Sequence, residues 1–102
     1  MYNFTNHALL ERQDRIFAII DTIGIGSEVD KFHREGTNSY EVFTDTGVML
    51  VVNENNFIIT AYAVNMKKAL AVYRSHGRSH VSPRVTRAIR YHEEHYKYLA
   101  KL

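Results

Sequence analysis

Four residues of this 102-residue chain carry side chains suited to holding and cleaving a phosphodiester: His7, Arg12, Thr60 and Tyr62. A histidine titrates near neutral pH and can take or give a proton. A guanidinium and two hydroxyls can hold a phosphate and stabilise the charge that develops on it. RNA brings its own nucleophile, the 2′-hydroxyl, so such a set needs no metal. Thr60 and Tyr62 stand two apart in an apolar, β-branched run, which puts both hydroxyls on one face of a strand. Tyr73 and Arg74 follow on the next expected helix and could supplement them. Ordinary roles compete at each position. His7 sits in a capping region, Arg12 is a surface charge, and Thr60 and Tyr62 are common strand formers.

Other chemistries find less support. Six histidines invite a metal site. His92-Glu93-Glu94-His95 puts two imidazoles three apart, where the zinc-protease pattern needs four. His76 and His80 straddle Gly77. Seam or surface histidines are the expected reading, with no metal. The absence of cysteine excludes thiolate ligands, disulfides and a cysteine nucleophile. There is no Gly-x-Ser-x-Gly elbow. Gly24-Ile25-Gly26 follows a helix rather than a strand and reads as a stop and a turn. Glu41, Asp45 and Glu54 are expected to be solvated carboxylates in or beside turns. No cofactor is expected.

The elements that must position these groups centre on residues 40–64. Three short apolar runs there are separated by Asp45-Thr46-Gly47 and Asn53-Glu54-Asn55-Asn56, residue types that tolerate positive φ and make hairpin turns. Val48–Val52 has no polar residue, as suits a strand covered on both faces. Glu28–Arg34 is a weaker strand, and Glu35–Asn38 a turn. Residues 5–23 have helical periodicity, with Thr5 or Asn6 as cap and Gly24 as stop. A helix is predicted over Asn65–His76, ended by Gly77. Ser82-Pro83 opens a last helix reaching Leu102, Pro lacking the N–H that is unpaired at that position anyway. Its seam is Val85, Ile89, His92, Tyr96 and Leu99, with Tyr91, His95 and Tyr98 as a second aromatic row. The predicted fold is α+β: an N-terminal helix, a three- to four-stranded antiparallel meander and two C-terminal helices, all in one domain over 1–102. Segregated elements of this kind lead us to expect the helices on one face of the sheet.

Charge is lopsided. Residues 1–65 hold four Lys/Arg against nine Asp/Glu, and residues 66–102 nine against two. A basic segment interleaved with tyrosine can track a phosphate backbone. The candidate nucleic-acid contacts are Lys67, Lys68, Arg74, Arg78, Arg84, Arg87 and Arg90. A solvated helix face, partly paired with the acidic half, is the competing reading. No run is long enough to span a membrane, and the first residues lack a signal-peptide pattern, so a cytoplasmic protein is expected.

Together, His7-Ala8-Leu9-Leu10-Glu11-Arg12, the meander Tyr40-x-Val42-x-Thr44-Asp45-Thr46-Gly47, and Ile58-Ile59-Thr60-Ala61-Tyr62 resemble phage-encoded relatives of the barnase–colicin–RelE-like nuclease superfamily. These are small toxin-type ribonucleases. The resemblance covers residues 7 to about 75. It implies His7 as helix-borne acid/base, Thr60 as the strand hydroxyl at the phosphate, Arg12 as electrostatic partner, Tyr62 in support, and the host cytoplasm as location. Active members place a basic or aromatic catalytic residue near the C-terminal end of the sheet, where this chain has Val64-Asn65. The expected function is RNA contact with metal-independent endoribonuclease activity. The alternative is a non-enzymatic phage or prophage module that binds nucleic acid or protein through its basic C-terminal helix, as a homodimer.

Overall fold

The computed structural model of the protein describes residues 3–5 and 13–96. Among the described residues eight elements follow in order: β1 (Asn3–Phe4), α1 (Gln13–Ile23), β2 (Glu28–His33), β3 (Ser39–Thr44), β4 (Val48–Asn53), β5 (Phe57–Ala63), α2 (Met66–Ser75) and α3 (Pro83–His95). Strands β2 to β5 form the expected antiparallel meander, and β1 adds to its far edge, parallel to β5. The predicted α+β order of helix, meander and two helices is what the chain adopts.

The turns follow from residue type. Gly47 has φ +82° and Asn56 φ 65°, the left-handed region that these two residues enter at least cost. The Asn53 side chain accepts from the backbone N–H groups of Asn55 and Phe57, holding the β4–β5 turn shut. Asn65 caps α2 by accepting from the N–H of Lys68 at 2.7 Å. At the other end of α2, the N–H of Gly77 donates to Arg74 and that of Arg78 to Tyr73, the paired bonds of a glycine-terminated helix.

Alternation along β4 splits the core in two. Val48, Leu50 and Val52 point to α1 and meet its Ile16 and Ile19. Met49 points the other way, into a cluster with Phe43, Tyr73, Val85 and Ile89 under α2 and α3. Each fully buried side chain of this size contributes roughly 1.5–3 kcal/mol. The helices therefore cover both faces, not one. The unbroken apolar run of β4 requires this, since a solvated face would leave Met49 or Leu50 in water.

Two further features depart from the sequence pattern, the end of the last helix and the register of β5. Thr5 follows β1, its N–H donating to the Ile58 carbonyl, and α1 is described from Gln13. Residues 6–12 lie outside the described residues. Helix α3 ends at His95, with Tyr96 leaving helical geometry at φ −129° and ψ 41°. The seam residue Leu99 and the row residue Tyr98 lie outside the described residues. Lastly, β5 carries a bulge: Val51 pairs with Thr60 but Val52 with Ile58, leaving Ile59 as the extra residue. No helix among the described residues is long and apolar enough to cross a membrane.

Candidate functional site

The bulge decides what Thr60 can do. Ile58 and Ala61 are three apart, yet both face α1. Strict alternation from Ile58 would have turned Thr60 toward α1 as well. The extra residue instead turns Thr60 and Tyr62 to the face shared by α2 and α3. Those helices cover only part of that face, and the remainder is a cleft of about 540 Å³. Its floor is Met49 and Val51 of β4 with Thr60 and Tyr62 of β5. Glu41 enters from β3, Arg34 from beyond the end of β2, and Asn65 and Lys68 from the start of α2. Thr60 is 4% exposed and Tyr62 is half-buried. Thus two cations, one carboxylate and two hydroxyls line one concavity. The two cations come from different elements, Arg34 from just beyond β2 and Lys68 from the first turn of α2.

The expected residues fare unevenly. Thr60 and Tyr62 share the site, as their spacing suggests. His7 and Arg12 lie outside the described residues. The described turns of α1 pack on the face opposite Thr60. Arg34 and Glu41 are new. Glu41 is not a turn carboxylate: it lies within β3 opposite Val51, and Val51 in turn pairs with Thr60. A lone carboxylate between Tyr40 and Val42 in a strand was the available signal. Of the basic set, Arg78 reaches Asp30 at 4.0 Å and Arg84 reaches Asp45 at 2.9 Å, so both pair with the acidic half of the chain. Lys67, Lys68, Arg74, Arg87 and Arg90 are exposed and have no ion-pair partner among the described residues.

Asp45 is a structural hub rather than a solvated charge. Its carboxylate accepts from the Ser27 N–H at 2.9 Å and from the Arg84 guanidinium. The Ser27 bond, with Arg84 adding to it, holds its pKa below the usual 3.8. It ties the β3–β4 turn to the α1–β2 loop and the start of α3.

A second cavity of about 300 Å³ lies beside that turn, lined by Thr22, Asp45, Thr46, Tyr91, His92 and Tyr96 among others. His92 is 7% exposed and its Nδ1 is buried without a hydrogen-bond partner. Burial holds this imidazole below its usual 6.5. The unfolded chain therefore protonates His92 before the folded chain does. The stability that depends on neutral His92 is complete above about pH 6.5 and is lost as pH falls from there to the folded value. Thermal midpoints measured from pH 7 to pH 5 should decline in the wild type and decline less in His92→Leu. Equal slopes would show that His92 does not carry the effect.

The remaining histidines of the paired pattern are surface groups. His95 is exposed, with Nδ1 2.9 Å from the Tyr91 carbonyl. His76 stacks on Phe32 at 4.8 Å. Among the described residues no three His, Asp or Glu side chains converge on a point where a cation could sit. No protein-family model, curated protein or solved structure matches this chain.

Proposed function

We propose that the protein contacts RNA, and that the cleft on the half-covered sheet face is where a phosphodiester is held. The observation that carries this reading is that Arg34 and Lys68 line one cleft together with Glu41, Thr60 and Tyr62. A phosphate between two cations gains charge-assisted hydrogen bonds, and the hydroxyls fix its orientation. Lys67 adds a second exposed charge on the first turn of α2.

The same residues form a kit for cleavage by internal attack. Glu41 takes the proton from the ribose 2′-hydroxyl, and that oxygen attacks phosphorus. Arg34 and Lys68 stabilise the added negative charge of the crowded phosphorane. Tyr62 donates a proton to the leaving 5′-oxygen, giving a 2′,3′-cyclic phosphate and a 5′-hydroxyl. His7 and Arg12 keep the roles that the toxin-type nucleases suggest for them, acid/base and electrostatic partner, and enter the test as such.

Purified protein incubated with total RNA in EDTA should yield cyclic-phosphate ends. Glu41→Gln should slow this by about a hundredfold or more while leaving RNA affinity nearly unchanged. Arg34→Ala with Lys68→Ala should weaken binding and lower the log–log salt slope by about two. Cleavage unchanged in both Glu41→Gln and His7→Ala would remove the enzymatic reading. Binding without cleavage would leave a nucleic-acid-binding module. Arg87 and Arg90 of α3, exposed and without an ion-pair partner among the described residues, favour that second reading.

A further inference from the structure

The second cavity differs from the cleft in being walled by aromatic rings. Tyr91 is the most exposed large apolar side chain of the described residues, at 52%. One face of its ring is stacked on His95, with centroids 4.0 Å apart and planes 15° from parallel. Tyr96 stands across from it at 6.0 Å and 60°. Stacking on His95 fixes the Tyr91 ring in place, and the ring can offer its other face to a ligand at little further cost in ordering. The edge beside it is polar, with Thr46, Asp45 and the ring of His92.

The surroundings identify the class of ligand. Arg87 lies one helical turn before Tyr91 on the same face of α3, four residues apart, and Arg90 stands three residues after Arg87, beside it on the helix surface. Both guanidiniums are exposed and have no ion-pair partner among the described residues. Asp45 lines the cavity but its carboxylate is already engaged by Arg84 and by the Ser27 N–H, which weakens its repulsion of an anion. A flat apolar plate, a polar edge and nearby exposed cations on the same helix match the three parts of a nucleotide. An apolar protein segment would use the plate but leave the cations without a purpose.

We propose that this cavity is a nucleobase subsite for single-stranded RNA. Tyr91 is the stacking surface, Arg87 and Arg90 contact the adjoining phosphates, and the ring of His92 borders the edge of the base. The subsite presupposes that the protein contacts RNA, and it places a base-dependent contact apart from the phosphate-holding cleft. Stacking on an aromatic ring tolerates any base, so the expected preference is for bases over none rather than for one sequence.

The test compares two labelled strands of equal length, an oligoadenylate and a fully abasic ribose-phosphate strand, by fluorescence anisotropy at matched salt. The full chain should bind the base-bearing strand about tenfold more tightly. Tyr91→Ala should erase that preference without changing the affinity for the abasic strand, and Tyr91→Phe should restore it. Because Tyr91 is exposed, the variants should keep the wild-type thermal midpoint, which is measured alongside. A preference that survives in Tyr91→Ala would overturn the subsite and leave the RNA reading intact. Failure of both strands to bind would overturn the two together. If Tyr91→Ala instead altered the oligomeric state in sedimentation and left strand preference untouched, the surface would belong to a second copy of the chain, and the subsite would fall.

Discussion

Replacing Gly47 by alanine should cost the fold about 2–5 kcal/mol, a large share of the roughly 5–15 kcal/mol that a domain of this size has. Two separate effects add. Gly47 has φ +82°, and a non-glycine residue in the left-handed region gives up about 1–2 kcal/mol. A Cβ there would also lie 2.7 Å from Cε1 and 2.8 Å from Nδ1 of His92, and 3.2 Å from the Ala88 carbonyl carbon. The ring cannot swing aside as a flexible surface chain would, because it is buried against the turn and its helix is pinned by Val85 and Ile89. Overpacking of this sort adds roughly 1–3 kcal/mol. Urea denaturation should show the loss as a lower midpoint with an unchanged slope. The double variant Gly47→Ala, His92→Ala should lose less than the sum of its parts, because the clash disappears while the backbone strain remains. A single variant within about 1 kcal/mol of wild type would show that the turn yields easily.

The Gly47 contact also joins the two candidate sites. The Gly47 carbonyl accepts from the N–H of Val64, and Val64 lines the cleft. On its other side Gly47 meets His92, which lines the aromatic cavity. One turn residue thus contacts the linings of both the cleft and the aromatic cavity. A larger residue at this position is expected to disturb both.

What could be read from the chain alone divides along physical lines. The hairpin turns and the limits of α2 were legible because Asp, Asn and Gly have local reasons to occupy them, as Asn65 and Gly77 show at the two ends of one helix. Strand β1 was not legible. Two residues in parallel pairing with β5 leave no periodicity, and their partners lie more than fifty positions away. The bulge at Ile59 escaped for a related reason. It is fixed by the register between β4 and β5, and a one-residue offset reverses every later side chain. Thr60 and Tyr62 were correctly placed together, yet only the bulge turns them toward the cleft. Arg34 and Glu41 were missed as site residues because nothing local marks them. They join Thr60 only once β2, β3 and β5 are laid in one sheet. Asp45 was read as solvated because its partners, Ser27 and Arg84, are 18 and 39 positions distant.

The largest loss of all is expected from Tyr73→Ala, about 3–5 kcal/mol. Tyr73 is fully buried and sits where three elements meet. Its ring lies 4.9 Å from both Phe32 of β2 and Phe43 of β3, and the Arg78 guanidinium lies 5.8 Å from its centroid. Its hydroxyl donates to the Asp30 carboxylate. Removing the ring leaves a cavity between α2 and the sheet and strips Asp30 of its donor. Tyr73→Phe separates these contributions. It keeps the packing and removes the hydrogen bond, so it should cost about 1–3 kcal/mol, with Arg78 still 4.0 Å from Asp30. Alkaline titration gives an independent readout. Burial first, and then the Asp30 carboxylate, raise the pKa of Tyr73 above the ordinary 10. The unfolded chain therefore ionises this phenol before the folded chain does. The corresponding stability is complete below about pH 10 and is lost as pH rises beyond it. Denaturation midpoints from pH 9 to pH 11 should fall more steeply in the wild type than in Tyr73→Phe. Parallel declines would show that the Tyr73 hydroxyl does not carry the alkaline loss, whereas a Tyr73→Phe variant as unstable as Tyr73→Ala would show that the bond to Asp30, rather than aromatic packing, holds α2 to the sheet.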